Sequence, residues 1–254
     1  TYDSPVVIAY VATENGMQPV NVRVSSVSGN ELSLQLQEPN YLDGTHVTET
    51  VNYLVVEAGT WVLPDGTLIE AGTLTSNKLS PQGFEAVPFD AAFDTGPVIL
   101  SQVQTFNGSD FVTTRQKAAT ADGFQVAMQE EEARNSGGHL DEMIGWVAIE
   151  EGSGSVSGFD WIAGKATGVT DANAMVDLSA SLSGDANVVA SLSSFNGTDP
   201  AWARGDGGTT TNFNVSVEED QSRDSEIHHI SERVDYFAFS DQGVVSGYNY
   251  DLSA

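Results

Sequence analysis

Cysteine is absent from this 254-residue sequence, so no disulfide or thiolate metal site can staple the fold, and stability must come from packing. Basic side chains are scarce: nine lysines and arginines stand against 36 aspartates and glutamates, a formal net charge of −27. Such a chain repels phosphate backbones and anionic membrane surfaces, which argues against nucleic acid as a partner. No apolar run approaches the ~20 residues of a membrane-spanning helix, and the opening TYDSPVVIAY lacks the basic, apolar and small-residue regions of a signal peptide. A soluble segment without membrane insertion is expected. Low lysine content with high acidity suits work outside a cell in salty water, where screening relieves self-repulsion.

No helical period is present either. In its place the chain repeats itself. ATENGMQPVNVR (12–23), QTFNGSDFVTTR (104–115) and SSFNGTDPAWAR (193–204) are three copies of one phrase, and their final arginines, Arg23, Arg115 and Arg204, lie 92 and 89 residues apart. That period is the length of a small domain and too long for a solenoid repeat. Each copy opens on a short apolar strand (SPVVIAYV, GPVILSQV or ANVVASLS) and proceeds to a strictly alternating run. The apolar positions of those runs are Leu32, Leu34 and Leu36, then Phe124, Val126 and Met128, then Phe213, Val215 and Val217. Period two marks a half-buried strand. A third strand, VNYLVVE, IGWVAIE or VDYFAFS, is rich in β-branched and aromatic residues. The expected fold is all-β, with three tandem antiparallel β-sandwich units.

The segments between units look like linkers by their Gly, Pro and Ser content but are too apolar for that role. Trp61, Leu68 and Ile69 in one, and Phe159, Trp161 and Ile162 in the other, read as lead-in strands that complete the unit that follows. The expected division is residues 1–60 for the first unit, 61–151 for a connecting strand segment and the second, and 152–242 for a connecting strand segment and the third. Residues 243–254 form a terminal strand. Its text, GVVSGYNYDLSA, echoes GSVSGFDWIAG, so either the array continues beyond it or the strand crosses back to complete the first unit.

Three of the four histidines share one register, in His46–x–x–Glu49, His139–x–x–Glu142 and His229–x–x–Glu232, each followed after three residues by an aromatic. They follow their arginines by 23, 24 and 25 residues, and Glu38, Glu130 and Glu219 repeat at the ends of the alternating strands. One reading is structural, with Arg and Glu paired across neighbouring strands and His bonded to a loop. The other is a binding surface, since guanidinium and imidazole suit sugar hydroxyls or carboxylates. Threefold retention favours binding over catalysis, because one good active site suffices in a duplicated chain. Glu38 with Glu49, Glu130 with Glu142, or Glu219 with Glu232 would supply the acid and base of a polysaccharide-cleaving hydrolase, and a His-based lyase is a related alternative. Calcium is a candidate ion in the acidic loops QEEEARNSGGHLDE and EEDQSRDSE, which match no EF-hand; zinc has no matching ligand spacing. The Asn-Gly pairs at 107–108 and 196–197 read as turns in which these residues supply positive φ, ahead of their formal match to glycosylation acceptors.

The succession of PVVIAYV or PVILSQV, an arginine, GF eight residues later opening an alternating strand, then IGWVAIE resembles the H-type lectin domain known from snail agglutinins and discoidin-type lectins. The match is best over residues 97–151. The resemblance implies small six-stranded antiparallel sandwiches, trimeric assembly, and binding of galactose-type sugars, often N-acetylgalactosamine, at clefts between subunits. It places the sugar-contacting arginine on Arg115 and, by internal alignment, on Arg23 and Arg204. His46, His139 and His229 lie about one residue from a further contact position, and Glu49, Glu142 and Glu232 would complete the polar wall. The loops where the family carries aromatic and histidine contacts hold Pro39 and Asn40, Glu131 and Glu132, or Asp220 and Gln221 instead. Three covalently joined units would then form a pseudo-threefold trimer within one chain. The expectation is a carbohydrate-binding module and not an enzyme, directed at a galactose-type sugar or a marine or algal galactan. It would be secreted or displayed by a bacterium of a saline habitat. A structural or adhesive array without a sugar site is the first alternative.

Overall fold

The computed structural model describes residues 2–156, 158–240, 243 and 248–249. It is all-β, and every pairing between named strands is antiparallel. The first unit contains β1 (Pro5–Val11), β2 (Asn21–Ser28), β3 (Glu31–Gln37) and β4 (Val51–Glu57). The strands β5 (Gly59–Val62), β6 (Leu68–Ser76) and β7 (Glu85–Pro88) lead into β8 (Val98–Val103), β9 (Val112–Thr120), β10 (Gly123–Glu130) and β11 (Glu142–Ile149) of the second. Likewise β12 (Gly152–Val156), β13 (Phe159–Val169) and β14 (Ala174–Asp177) lead into β15 (Asn187–Leu192), β16 (Ala201–Gly208), β17 (Asn212–Glu219) and β18 (Glu232–Phe239) of the third, and β19 (Tyr248–Asn249) follows.

The repeated text folds the same way each time. The first and last strands of a unit pair with each other, as β1 with β4, β8 with β11 and β15 with β18. The arginine strand pairs with the alternating strand, as β2 with β3, β9 with β10 and β16 with β17. The apolar segments between units are strands: β6 and β13 pair with β11 and β18, and β7 and β14 pair with β10 and β17. Apolar residues of both sheets of the second unit, among them Ile99, Phe124, Val126, Met128 and Trp146, bury one common core. Period two thus does its usual work, sending alternate side chains inward.

Of the terminal strand, Tyr248 and Asn249 have a described pairing. Tyr248 and Asn249 pair with Val62 and Trp61 of β5, on the edge of the second unit's sheet, and not with β1 or β4. Apart from Gly243, the rest of residues 243–254 lies outside the described residues.

The three units close into a ring. The strands β1, β8 and β15 each pack against the other two, and each also meets the last strand of the next unit: β1 meets β11, β8 meets β18, and β15 meets β4. Opposite faces of β1 serve different cores. Val7, Ala9 and Val11 face the first unit's own small cluster, while Val6, Ile8 and Tyr10 join a large one with Val98, Leu100, Val189 and Val217. Burial of apolar area at the axis is therefore shared among the units.

The lead-in strands carry a glycine beneath the aromatic of the last strand. Gly72 lies opposite Trp146 and Gly164 opposite Tyr236. A Cβ on Gly72 would sit 2.7 Å from the Trp146 ring, and one on Gly164 would collide with the Tyr236 hydroxyl. Gly72→Val is expected to destabilise the protein by about 1–3 kcal/mol through overpacking, measured by denaturant unfolding; an unchanged midpoint would show that Trp146 has room to move.

Candidate functional site

The nine residues singled out in the sequence assemble into three buried clusters, one at each junction between units. A Glu at the start of the last strand forms the hub. Glu142 accepts from the Thr105 hydroxyl and from the backbone N–H groups of Asn107, at 3.0 Å, and Gly108, at 2.9 Å. Glu232 accepts in the same way from Ser194, Asn196 and Gly197, and Glu49 from Thr13, Asn15 and Gly16. The repeated hydroxyl–x–Asn–Gly phrase is thus a cradle for a carboxylate. Each imidazole bridges two carboxylates: His139 places Nδ1 2.6 Å from Glu130 and Nε2 3.2 Å from Glu142. His46 joins Glu38 and Glu49, and His229 joins Glu219 and Glu232, through the same two nitrogens.

The arginine of each cluster comes from the preceding unit. Arg23 donates from Nη2 to Glu142 at 2.7 Å and from Nε to the Thr105 carbonyl at 3.1 Å. Arg115 pairs with Glu232 and donates to the Ser194 carbonyl. Arg204 closes the ring, donating to Glu49 at 2.8 Å and to the Thr13 carbonyl at 2.9 Å. The three guanidiniums are at most 1% exposed, and the hub carboxylates have no exposed side-chain surface. Phe106 and Phe195 lie 4.9 and 5.3 Å from the guanidiniums of Arg23 and Arg115 and cover them.

Electrostatics follow from this packing. Burial pushes the three hub carboxyls up, but hydrogen bonds overcome it and hold each at about 2, against an ordinary 4.5. The opposing donors are the hydroxyl, the two backbone N–H groups and the imidazole, with the Arg115 charge added at Glu232. Burial lowers His139, yet Glu130 and Glu142 more than offset it and raise it to about 9. Two acceptor-only carboxylates flank that ring, so both nitrogens must carry hydrogen. Arg23, His139, Glu130 and Glu142 then form a neutral quartet.

This geometry corrects the sugar-contact reading of Arg23, Arg115, Arg204, His46, His139, His229, Glu49, Glu142 and Glu232. Their functional groups are buried and bonded to one another, so no guanidinium fork faces solvent to meet a hydroxyl. Arg204 also pairs with Glu218 of the neighbouring strand β17 at 3.0 Å, the cross-strand contact of the structural reading, whereas the partner shared by all three arginines is the hub Glu of the next unit. Each carboxylate pair considered for hydrolysis is joined through one imidazole and buried. In the acidic loops, Glu131 pairs with Arg134 at 2.8 Å and Asp220 accepts from the backbone N–H of Glu132 at 2.7 Å. Among the described residues no three His, Asp or Glu side chains are grouped to hold a metal ion.

The Asn-Gly turns also differ from expectation. None of Gly16, Gly108 and Gly197 has positive φ. They are glycines because a Cβ would sit 2.6–2.7 Å from the rings of His46, His139 and His229. The Asn side chains tie the turn to the strand entry, Asn107 to the Asp141 carbonyl at 2.7 Å and Asn196 to that of Ser231 at 2.8 Å. Phe106 and Phe195 were legible as repeated residues but not as covers, because their partners belong to another unit.

Removing one member strands a buried charge, so Arg115→Ala is expected to cost about 3–5 kcal/mol in denaturant unfolding. Arg115→Ala with Glu232→Ala should cost clearly less than the sum of the two single changes, and additivity would mean the pair is not coupled. The hub carboxyls titrate lower in the folded state than their ordinary 4.5, so their stabilisation is complete above that value and is lost as pH falls towards about 2. His139 acts oppositely: its contribution is complete below 6.5 and is lost as pH rises through about 9. Unfolding free energy measured from pH 2 to 10 should fall at both ends, and Glu142→Gln should flatten the acid limb.

No family model matches the chain, and no solved structure matches it. The chain is 30% identical over 257 residues to Halomucin of Haloquadratum walsbyi, a match that takes in 97% of this chain and 3% of the length of that relative.

Proposed function

We infer that this chain is a structural or adhesive module of the surface of a salt-adapted microbe, a three-unit block whose repeated polar residues lock the block together. The observation that carries this reading is the closed cycle Arg23–Glu142, Arg115–Glu232 and Arg204–Glu49, which uses the repeated groups inside the molecule. The likeness to Halomucin supports a surface setting in brine through that relative's name and organism. The relative's archaeal source favours an archaeon over the bacterium expected from composition. The acidic balance supports the same setting, since self-repulsion at a net charge of −27 is tolerable where salt is concentrated.

The experiment sets the wild type and the variants Arg23→Ala, Arg115→Ala and Arg204→Ala against a glycan and polysaccharide array, with melting curves in parallel. The expected result is loss of stability in each variant with an unchanged array profile. Stepwise loss of glycan binding at unchanged stability would overturn this reading in favour of galactose-type recognition. Because the screening length contracts from about 10 Å at 0.1 M salt to about 3 Å at 1 M, the melting temperature should rise over that range. A flat response would show that the acidic surface carries no repulsive cost.

A further inference from the structure

The loops that follow the three alternating strands meet one another. Pro39, Glu131 and Asp220 hold the same place in them, directly after Glu38, Glu130 and Glu219. The backbone N–H of Glu132 donates to Asp220 Oδ2 at 2.7 Å and so ties the second unit to the third. Tyr41 of the first unit lies close to both carboxylates. Glu131 is 3% exposed and Asp220 1%, and in each carboxylate one oxygen is anchored while the other is bare. Arg134 Nε holds Glu131 Oε1 at 2.8 Å. Asp220 Oδ2 takes the Glu132 N–H, the Ser222 N–H at 3.0 Å and the Ser222 hydroxyl. Glu131 Oε2 and Asp220 Oδ1 are buried without a hydrogen-bond partner; the N–H groups of Asn40 and Tyr41 face Glu131 but complete no bond to Oε2. A bare buried carboxylate oxygen is costly, and here there are two in adjoining loops. Glu132, Asp199 and Asp224 add negative charge around them, against Arg134 and Arg223.

We propose that Glu131 Oε2 and Asp220 Oδ1 are two ligands of one hard divalent cation, of the calcium class, held where the loops of the second and third units meet. The donor set is oxygen alone, which suits a hard cation and not a soft one. Calcium takes six to eight oxygens, so loop carbonyls and waters complete the shell that the two carboxylates begin, and no third acidic side chain is needed. The anchored oxygens give the site its geometry: Arg134 and Ser222 fix each carboxylate through the atom that the ion does not use. The two acidic loops thus share one site between them, and the ion adds a second tie between units that Arg115 and Glu232 already join. The first unit, with Pro39 in this place, contributes no carboxylate. The proposal goes beyond the surface-module reading, which stands with or without a bound ion.

The test is equilibrium dialysis of calcium against the full chain in concentrated potassium chloride, after a chelator has removed divalent ions, with melting curves in parallel. High salt screens the acidic surface and displaces loosely held ions. The expected result is one saturable site, with a dissociation constant on the order of 10⁻⁴–10⁻³ M as in extracellular calcium modules. The melting temperature should climb with the logarithm of calcium above that concentration. Glu131→Gln and Asp220→Asn should each weaken binding about tenfold or more, whereas Glu31→Gln, on an exposed position of β3, should not. A readout that leaves both ligands intact is terbium luminescence sensitised by Tyr41, which should fall in Tyr41→Phe while terbium stays bound. No saturable site in the wild type would overturn the proposal. A site that survives both carboxylate substitutions, or terbium emission unchanged in Tyr41→Phe, would do the same and mark adventitious ions only. A melting temperature indifferent to calcium but raised by acid, through both carboxylates, would replace the cation with a shared proton.

Discussion

A buried carboxylate at the start of the last strand of each unit is the interaction on which the rest of this structure depends. An ionised carboxyl away from water is costly unless its lone pairs are filled. Here they are filled from three directions: a turn of the same unit, the imidazole three residues earlier, and a guanidinium of the unit before it. The last of these cannot be supplied by a unit in isolation. A hub carboxyl therefore reaches its low-energy state only when the ring is closed, and each junction reports on the correct seating of two units. Apolar residues of equal volume could hold such a junction as well or better, but they would not specify which strand meets which. The fixed fork of Arg against a cradled carboxylate sets that register.

Much of the fold was legible because strand formation is a local matter. Alternation at Phe124, Val126 and Met128 names both the strand and its inward face, and the apolar content of Trp61, Leu68, Ile69, Phe159, Trp161 and Ile162 was enough to separate lead-in strands from linkers. The polar site was legible as a set and illegible as a geometry. Repetition marked Arg23, His139 and Glu142 as belonging to one scheme, but the pair Arg23 and Glu142 spans 119 residues and two units. Nothing in spacing tells a chain of three like units whether an arginine looks inward, across its sheet or into its neighbour. Glycine offered a similar ambiguity. Asn-Gly most often signals positive φ, whereas Gly108 is required by the His139 ring lying against its Cα, a contact made by a strand entry some thirty residues on.

The same clusters bear on the charge of the molecule. Three of only nine basic side chains are spent at the junctions, where each meets a buried carboxylate. The exterior that remains is overwhelmingly acidic, with cationic relief confined to scattered pairs such as Lys78 with Glu85 and Arg134 with Asp110. Repulsion across such a surface is long in range at low ionic strength and short in brine, while the desolvated junction pairs are screened far less. Salt thus weakens what opposes folding and spares what favours it.

The units are alike in sequence but not in autonomy. The second has a core of its own fed by both sheets and by its lead-in strands, whereas the first buries only Val7, Ala9, Val11, Val20, Val22 and Val24 in its own cluster. So small an apolar area would not support an independent domain of about sixty residues. What holds the first unit is its placement: the opposite face of β1 sends Val6, Ile8 and Tyr10 into the large shared core, and Arg204 reaches back from the third unit to Glu49. The contact that closes the ring and the contact that secures its weakest member are the same one. Loss of the Arg204–Glu49 junction should therefore loosen the first unit most, because its own apolar cluster is the smallest of the three, and the ring, not the unit, is the cooperative block of this fold.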